Sequence, residues 1–508
     1  MMTNEPEMGG GPTLVRTGIE GLDDVLHGGL TRHRMYLVEG SPGAGKTTLA
    51  MQFLLEGVRR GEPCMFVTLS ESLEELQAAA KSHGWTLDGV QVLEILASEE
   101  SLLPDARSRM FHPSEVELAK TTEAVLTEAD RVKPARLVVD SLSEFRLLAD
   151  NDLRYRRQVL AIKQHFAHRA CTMLFIDDRT DGENDRLLYS LAHGVVDLER
   201  RPTDYGTVRQ RLRVSKMRGH AFREGYHDFA IRRGGLQVFP RLVAAEHGTS
   251  YARETVKSGL EPLDALLGGG LAVGTSTLIL GAAGTGKSTL ATVYAQATAQ
   301  RGQNAALFVF DELVGTFLER AAGLGMELEP LIQAGRLSLR QVDPAELSPG
   351  EFSHIVRQAV DRDKARLVVI DSLTGYMNAM PSERFLALHL HEILSYLGQQ
   401  GVTTLLILAQ HGVVGTSMQL PLDATYLTDT VVLLRYFEAF GGLRQAISVI
   451  KKRTGWHERT IRELHFDNGG IHIGDPIVEF QGVLAGSPEY VGGLRNRKEG
   501  GDERRAGG

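Results

Sequence analysis

The sequence predicts an α/β protein made of two tandem domains, each with a mostly parallel sheet covered by helices on both faces. Short β-rich apolar runs alternate with amphipathic helical patterns, which is typical of parallel sheets. The order of segments is the same in both halves, because TGIEGLDDVLHGGL from Thr17 is echoed by SGLEPLDALLGGGL from Ser258. A chain of 508 residues is also too long for a single hydrophobic core.

The repeat pairs four predicted strands of one half with four of the other. The runs are RMYLVEG, CMFVTLS, RLVVDS and CTMLFID in the first half, and TSTLILG, AALFVFD, RLVVIDS and TTLLILA in the second. The periodicity lapses between Arg241 and Lys257, and the last residues are Gly-rich and charged. The predicted parts are a flexible tail at 1–12, a first domain at 13–245, a second domain at 246–488 and a flexible tail at 489–508.

Composition narrows the classes of function. Hydrophobic residues make up 42% of the chain, no stretch approaches the length of a membrane span, and the amino terminus lacks a secretion signal, so we expect a cytoplasmic protein. Two cysteines exclude a disulfide framework and a cysteine-based zinc site. A net charge of −8 and 6% aromatic residues disfavour nucleic acid as a partner.

Two Gly-rich loops carry the chemistry. Gly40 to Thr47 reads GSPGAGKT and Gly281 to Ser288 reads GAAGTGKS, and both match G-x-x-x-x-G-K-[ST] between a strand and a helix. Backbone N–H groups of such loops close around phosphates, and the lysine reaches the β- and γ-phosphates. The sequence therefore predicts two tandem RecA-like P-loop NTPase domains that bind ATP. The predicted phosphate-binding residues are Gly40, Gly43, Gly45, Lys46, Thr47, Thr48, Gly281, Gly284, Gly286, Lys287, Ser288 and Thr289.

A phosphate loop that binds ATP with Mg²⁺ needs oxygen ligands for the ion. The hydroxyls of Thr47 and Ser288 are the predicted ligands within the loops. Asp140 and Asp371 end equivalent apolar strands, LVVD and LVVID, and we expect them to hold the ion through water. The histidines have no metal-ligand spacing, so the sequence predicts no other metal.

Candidate catalytic carboxylates follow the strand after each phosphate-loop helix, where RecA-like ATPases place the base that orients the attacking water. Glu71 in FVTLSES and Glu312 in FVFDEL occupy the same position, and Asp311 adds a second carboxylate in the second copy. The alternative is structural, because Ser72 with Glu75 reads as a capping box and Asp311 as an N-cap.

With these motifs in view, the chain resembles the KaiC family of circadian-clock ATPases and autokinases, over nearly everything from Leu14 to Pro488. The resemblance rests on both phosphate loops, the EGLDDVLHGGL lead-in, the VDS and IDS strand ends, KMRG, KKRTGWHERTIRE, LTDTVVLLRY and FQGVLAGSP. It implies a homohexameric double ring with ATP between subunits and an unknown regulatory protein partner. A neighbouring subunit would contribute basic residues, which by position are Lys216, Arg218, Lys451 and Arg453.

The chain departs from the family's pattern at two places. The first copy has Ser70-Glu71 where the family has two glutamates, and the second has Asp311-Glu312. Thr425-Tyr426 stands where the family has its autophosphorylated Ser-Thr pair, so Thr425 or Thr428 is a candidate single acceptor, with a buried strand hydroxyl as the equal alternative.

The sequence thus predicts an ATPase, with Ser/Thr autophosphorylation as a further candidate activity, acting as a nucleotide-dependent signalling or timing switch. Two other functions remain open: a RecA-type ATP-driven nucleic-acid remodelling protein, and an ATP-binding scaffold with little turnover.

Overall fold

The computed structural model divides into two compact units, Met1–Arg241 and Leu242–Gly508. The residues that it describes are 13–95, 113–149, 151–179, 186–203, 206–343, 345–378, 386–410, 425–484 and 488–491. The predicted N-terminal tail lies outside these residues. Of the predicted C-terminal tail only the first residues are described, and Glu489–Tyr490 pairs there with Phe480–Gln481.

The first domain alternates strands and helices as the sequence predicts, because its apolar runs have period two or are continuous while its helices are amphipathic. Its strands are β1 (Leu14–Val15), β2 (Leu30–Thr31), β3 (Met35–Gly40), β4 (Cys64–Thr68), β5 (Val90–Glu94), β6 (Arg136–Asp140), β7 (Thr172–Asp178), β8 (Gly194–Arg201), β9 (Arg209–Met217), β10 (His227–Arg232) and β11 (Gly235–Phe239). Its helices are α1 (Glu20–Val25), α2 (Lys46–Arg59), α3 (Leu73–Ser82), α4 (Pro113–Val132), α5 (Leu142–Leu148), α6 (Asp152–His165) and α7 (Arg186–Leu191).

The second domain repeats most of this order after a short 3₁₀ helix at Ala244–His247, with an added helix at Glu329–Gln333 and two added strands at its end. Its strands are β12 (Thr255–Val256), β13 (Leu271–Ala272), β14 (Ser276–Gly281), β15 (Asn304–Val309), β16 (Leu337–Gln341), β17 (Ala365–Asp371), β18 (Thr403–Ala409), β19 (Thr430–Ala439), β20 (Gly442–Lys452), β21 (Arg462–Asp467), β22 (Gly470–Pro476), β23 (Phe480–Gln481) and β24 (Glu489–Tyr490). Its helices are α8 (Glu261–Leu266), α9 (Lys287–Gln300), α10 (Val314–Gly323), α11 (Glu329–Gln333), α12 (Pro349–Asp361), α13 (Leu373–Asn378) and α14 (Leu386–Gln399).

Each domain is built on one large sheet, with nine strands among the described residues. The orders are β11-β10-β9-β8-β3-β7-β6-β4-β5 and β22-β21-β20-β19-β14-β18-β17-β15-β16 when both are read from the same edge. In this spatial order, the six strands from β8 to β5 and the six from β19 to β16 run parallel to one another. The remaining three strands of each sheet pair in antiparallel fashion. The predicted α/β class with mostly parallel sheets is confirmed, and all eight predicted strands are present.

Hydrophobic cores cover both faces of each sheet. Along β3, Tyr36 and Val38 pack in one cluster while Met35 and Leu37 pack in the other, as the alternation of strand side chains requires. Every residue of β3 and of β14 is buried. The phosphate loops therefore follow strands that are fixed from both sides, which is what a precise site needs.

One pair of similar segments differs between the domains. In the first, Arg136 begins β6, is 1% exposed and bonds the Glu62 carboxylate at 2.6 Å. In the second, a bulge in the pairing of β15 with β17 skips Arg366, which is exposed, and pairs Leu367 in its place. The extra residue of LVVID relative to LVVD is absorbed there, so both strands still end on the aspartate.

Candidate active sites

Both phosphate loops turn at the carboxyl end of a central strand and lead into a helix. Gly45 and Gly286 cap α2 and α9 with φ of 94° and 88°, a left-handed conformation that favours glycine. A Cβ at Gly45 would come within 2.4 Å of Ile231, and one at Gly286 within 2.0 Å of Phe466. The hairpins β10–β11 and β21–β22 therefore close against the start of each loop helix.

The two loop lysines are buried but have different partners. Lys46 Nζ donates to the carbonyl oxygens of Gly40 at 2.9 Å and Ser41 at 3.0 Å, and lies 2.8 Å from Asp178 Oδ1. Lys287 Nζ donates to the Ala282 carbonyl at 2.6 Å. Its pKa is lowered, mainly by burial and against the opposing effect of Asp371. The position of Asp178 is taken by Ala409 in the second domain, because these residues pair with Gly40 and Gly281 respectively.

The two loop hydroxyls lie near the predicted strand-end aspartates. Thr47 Oγ1 donates to Asp140 Oδ2 at 2.7 Å, and the Ser288 hydroxyl is near enough to Asp371 to lower the pKa of that carboxyl. Burial raises the pKa of Asp140 to about 6 against the effect of the Thr47 bond, and burial likewise raises the pKa of Asp371. A half-buried hydroxyl beside a buried carboxylate, next to a phosphate loop, fits the oxygen donors that Mg²⁺ prefers.

Glu71 interacts electrostatically with the first of these aspartates, because its charge contributes to raising the pKa of Asp140. Burial, and then the charge of Glu75, raises the pKa of Glu71 itself. The capping box is also present, because Ser72 and Glu75 exchange both hydrogen bonds at the start of α3. Cap and candidate base are therefore neighbouring residues with separate contacts.

Glu312 occupies the same place beside Asp371, but an arginine holds it. Arg320 donates to both Glu312 carboxylate oxygens, at 3.1 and 2.8 Å, and to Thr289 Oγ1 at 3.2 Å. Counted from the N-caps of α3 and α10, the first domain has Ala79 where the second has Arg320. The two candidate bases thus differ in their counterions.

Asp311 contacts a different part of the second domain. Its carboxylate accepts a hydrogen bond from the Ser372 hydroxyl, which in turn accepts one from the Gly375 N–H. The N-cap of α10 is Leu313 rather than Asp311. This arrangement ties Asp311 to the start of α13.

Sequence reasoning missed three charged residues at these sites: Asp178, Arg200 and Arg320. A Cβ at Gly43 would lie 3.6 Å from Arg200 Nη1, whereas one at Gly284 would lie 2.9 Å from the Tyr436 hydroxyl. Arg200 and Tyr436 are two residues beyond Leu198 and Leu434, which pair with Gly40 and Gly281. No motif marks these positions: Asp178 and Arg200 come from strands β7 and β8 beside the loop strand, and Arg320 comes from α10.

The four predicted basic residues lie toward the opposite end of each sheet. Lys216 on β9 pairs with Val195, three residues before Leu198, and Lys451 on β20 pairs with Val431, three before Leu434. Three residues along a strand are about 10 Å. Arg218 and Arg453 lie farther along the same chain segments.

Carbonyl oxygens of their own domain bind these cations. Lys216 donates to the carbonyl of Tyr189, and Arg218 donates to that of Ser190. Lys451 Nζ donates to the carbonyls of Thr425 and Thr428 at 2.6 and 2.7 Å, and Arg453 donates to that of Tyr426 at 3.0 Å. Thr428 is 0% exposed, whereas Thr425 is partly exposed. The structure therefore brings the candidate acceptors to the basic strand, not to the phosphate loop of the same domain.

No helix among the described residues is long and apolar enough to cross a membrane. Comparison with known proteins gives the relationship of the chain. It is similar to the circadian clock oscillator protein KaiC of Picosynechococcus sp. (27% identity; 94% of this chain, 92% of that protein) and of Synechococcus elongatus (27%; 94% and 92%). It is also similar to the circadian clock protein KaiC3 of Synechocystis sp. (26%; 94% and 95%). The family model described as "ATPase: KaiC" matches residues 15–243 and again 256–477, and the chain belongs to that family of ATPases.

Proposed function

We propose that both domains bind ATP with Mg²⁺ and hydrolyse it, so that nucleotide state acts as a signalling or timing switch. The observation that carries the proposal is the buried lysine and buried strand-end aspartate that accompany each loop, with a loop hydroxyl and a glutamate that both act on the pKa of that aspartate. Such a set supplies phosphate binding, metal binding and water orientation, which are the parts that phosphoryl transfer needs.

In each site the work divides among a few residues. Lys46 and Lys287 would bind the β- and γ-phosphates, and the pairs Thr47–Asp140 and Ser288–Asp371 would hold Mg²⁺, which neutralises phosphate charge when bound. Glu71 and Glu312 would accept a hydrogen bond from the attacking water and orient it. The partial burial of Glu71 keeps its carboxylate basic, while Arg320 holds Glu312 in place.

We further propose that six chains form a double ring and complete each other's sites. In each domain the candidate basic residues lie about 10 Å away from the phosphate loop, measured along the strands of the sheet. A contact between unlike surfaces that closes on itself gives a ring, and a neighbour's cation would then reach the transferring phosphoryl group. Bound ATP would strengthen such an assembly by linkage.

Autophosphorylation is a second candidate activity, and Thr425 is the better acceptor. The Thr428 side chain is 0% exposed, so a neighbouring phosphate cannot approach it without local opening. Thr425 is partly exposed and lies where Lys451 and Arg453 bind the backbone. The same basic residues would then hold acceptor and nucleotide together.

The proposed biological role is based on the names of the relatives. Those named above are circadian clock proteins, so a timing or signalling role with a regulatory protein partner is the function we favour. Two alternatives are tested beside it. Salt-dependent binding of single-stranded DNA would indicate a nucleic-acid motor, and stable bound ATP with very slow phosphate release would indicate a scaffold.

The test incubates purified full-length protein with γ-phosphate-labelled ATP and Mg²⁺ and follows free phosphate and covalent label together. We expect phosphate release from both sites, with about half retained in each of Lys46→Ala and Lys287→Ala if the sites are equal, and none in the double variant. Label that vanishes with Lys287→Ala and with Thr425→Ala supports the autokinase. Release without label leaves an ATPase, and release that survives the double variant overturns the site assignment.

A further inference from the structure

The hairpin β21–β22 in the second domain brings two histidines face to face. His465 and His472 are directly opposed in the strand pairing. Their rings stack with centroids 4.8 Å apart and planes 17° apart. Opposed residues of an antiparallel pair have Cβ atoms close enough for their side chains to act together.

A carboxylate completes the group from the same face of the hairpin. Asp467 follows His465 by two residues, so both side chains project from one face of β21 while Phe466 projects from the other. His472 Nε2 donates a hydrogen bond to Asp467 Oδ1 at 2.9 Å. One ligand atom from each of the three residues lies within 4.8 Å of the others, and all three residues are exposed.

We propose that His465, Asp467 and His472 bind a divalent transition-metal ion of the Zn²⁺ class. Zn²⁺ binds imidazole nitrogen and carboxylate oxygen at about 2.0–2.2 Å, so two ligands of a tetrahedral ion are about 3.3 Å apart. Rotation of exposed side chains closes the remaining gap, and the ion takes the place of the proton that His472 shares with Asp467. A set of two imidazoles and one carboxylate favours Zn²⁺, Co²⁺ or Ni²⁺ over Mg²⁺ and Ca²⁺, which prefer oxygen ligands alone.

The corresponding hairpin of the first domain does not carry this set. Ile231 packs against Gly45 as Phe466 packs against Gly286, which aligns the two hairpins residue by residue. The cross-strand pair there is Ala230 with Gln237, and Arg232 stands where the second domain has Asp467. The equivalent positions of the first-domain hairpin therefore offer no second copy of this site, which is why one ion per chain is expected.

The position of the site connects it to the second phosphate loop. Phe466, between two of the ligands in sequence, is the residue that contacts the left-handed turn at Gly286. An ion that joins β21 to β22 would hold Phe466 against that turn. Metal occupancy would thus restrict the hairpin that closes on the start of α9.

The test titrates tag-free, nucleotide-free, chelator-treated protein with Co²⁺, whose visible spectrum reports coordination, and with Zn²⁺ by calorimetry. We expect one saturable ion per chain. His465→Ala and His472→Ala should each weaken binding by more than about tenfold, and Asp467→Asn by a smaller factor. His391→Ala, which removes an exposed histidine of α14, should leave affinity unchanged.

Thermal unfolding separates loss of the site from loss of the fold. Without metal, the hairpin variants should unfold at the temperature of the parent, because all three side chains are exposed. Zn²⁺ should raise that temperature for the parent and for His391→Ala, but not for His465→Ala or His472→Ala. The absence of saturable binding in the parent, or equal affinity in the hairpin variants, would overturn the proposal.

Discussion

The two candidate nucleotide sites share a scaffold but differ in the charges around it. In the first, Asp178 pairs with the loop lysine, Arg200 lies beside the loop, and no arginine in the described part of the chain forms an ion pair with Glu71. In the second, Ala409 and Tyr436 replace the first two, and Arg320 binds Glu312 through both of its oxygens. Duplication therefore preserved the groups that would touch phosphate and metal, whereas the residues that tune them diverged.

The largest expected effect comes from the candidate bases. Glu71→Gln in a Lys287→Ala background and Glu312→Gln in a Lys46→Ala background should each lower turnover at the remaining site by about 10²- to 10⁴-fold. Steady-state phosphate release measures both. Glu74→Gln, an exposed neighbour on α3, is the matched control and should change the rate by less than about twofold. If only one glutamate matters, the two sites do not share a mechanism.

The next effect concerns stability and the two arginines of the RLVV segments. Arg136→Ala would leave Glu62 with only Arg32 and would remove the Arg136 hydrogen bonds to the carbonyls of Arg16 and Phe53. It should lower the free energy of unfolding of the first domain by about 3–5 kcal/mol. Arg366→Ala, at the exposed bulge, should cost less than about 0.5 kcal/mol. Hydrogen exchange read by peptide mass spectrometry reports each domain separately. Equal protection from hydrogen exchange in the two variants would contradict the different roles given to Arg136 and Arg366.

The smallest effect tests the carboxylate beside the first lysine. Asp178→Asn in a Lys287→Ala background should strengthen ATP binding by up to about fivefold, because a partly exposed ion pair contributes at most about 1 kcal/mol. The reciprocal change, Ala409→Asp in a Lys46→Ala background, should weaken binding at the second site. Titration with a fluorescent ATP analogue measures both. Weaker binding by Asp178→Asn would mean that this carboxylate helps the nucleotide instead of competing with it.

The elements that were predictable from the sequence are those with a local pattern. Continuous apolar runs placed the strands, and the spacing of glycine, lysine and hydroxyl placed both loops at strand–helix turns. The same local patterns placed Asp140 and Asp371 at strand ends, where the structure pairs them with the loop hydroxyls.

Apart from Arg320, which binds Glu312 eight residues earlier, the residues that were missed depend on contacts across the sheet. Lys46 and Asp178 meet only because β3 and β7 are neighbours, and His465 meets His472 only through the register of one hairpin. Neither relation leaves a recognisable spacing in the chain. The bulge at Arg366 could not be predicted for a related reason. The segment RLVV is identical in both halves, and only the pairing of β15 with β17 shows that Arg366 is skipped.

The offset between basic residues and phosphate loops has a genetic consequence. If those basic residues act on a neighbouring chain, each unit that hydrolyses ATP is the junction of two chains. Every chain then supplies a phosphate loop to one junction and basic residues to the other. Chains with Lys46→Ala and chains with Arg218→Ala would each be defective in the first ring alone. Mixed, they would form some junctions with an intact loop facing an intact cation, so two loss-of-function alleles would complement each other.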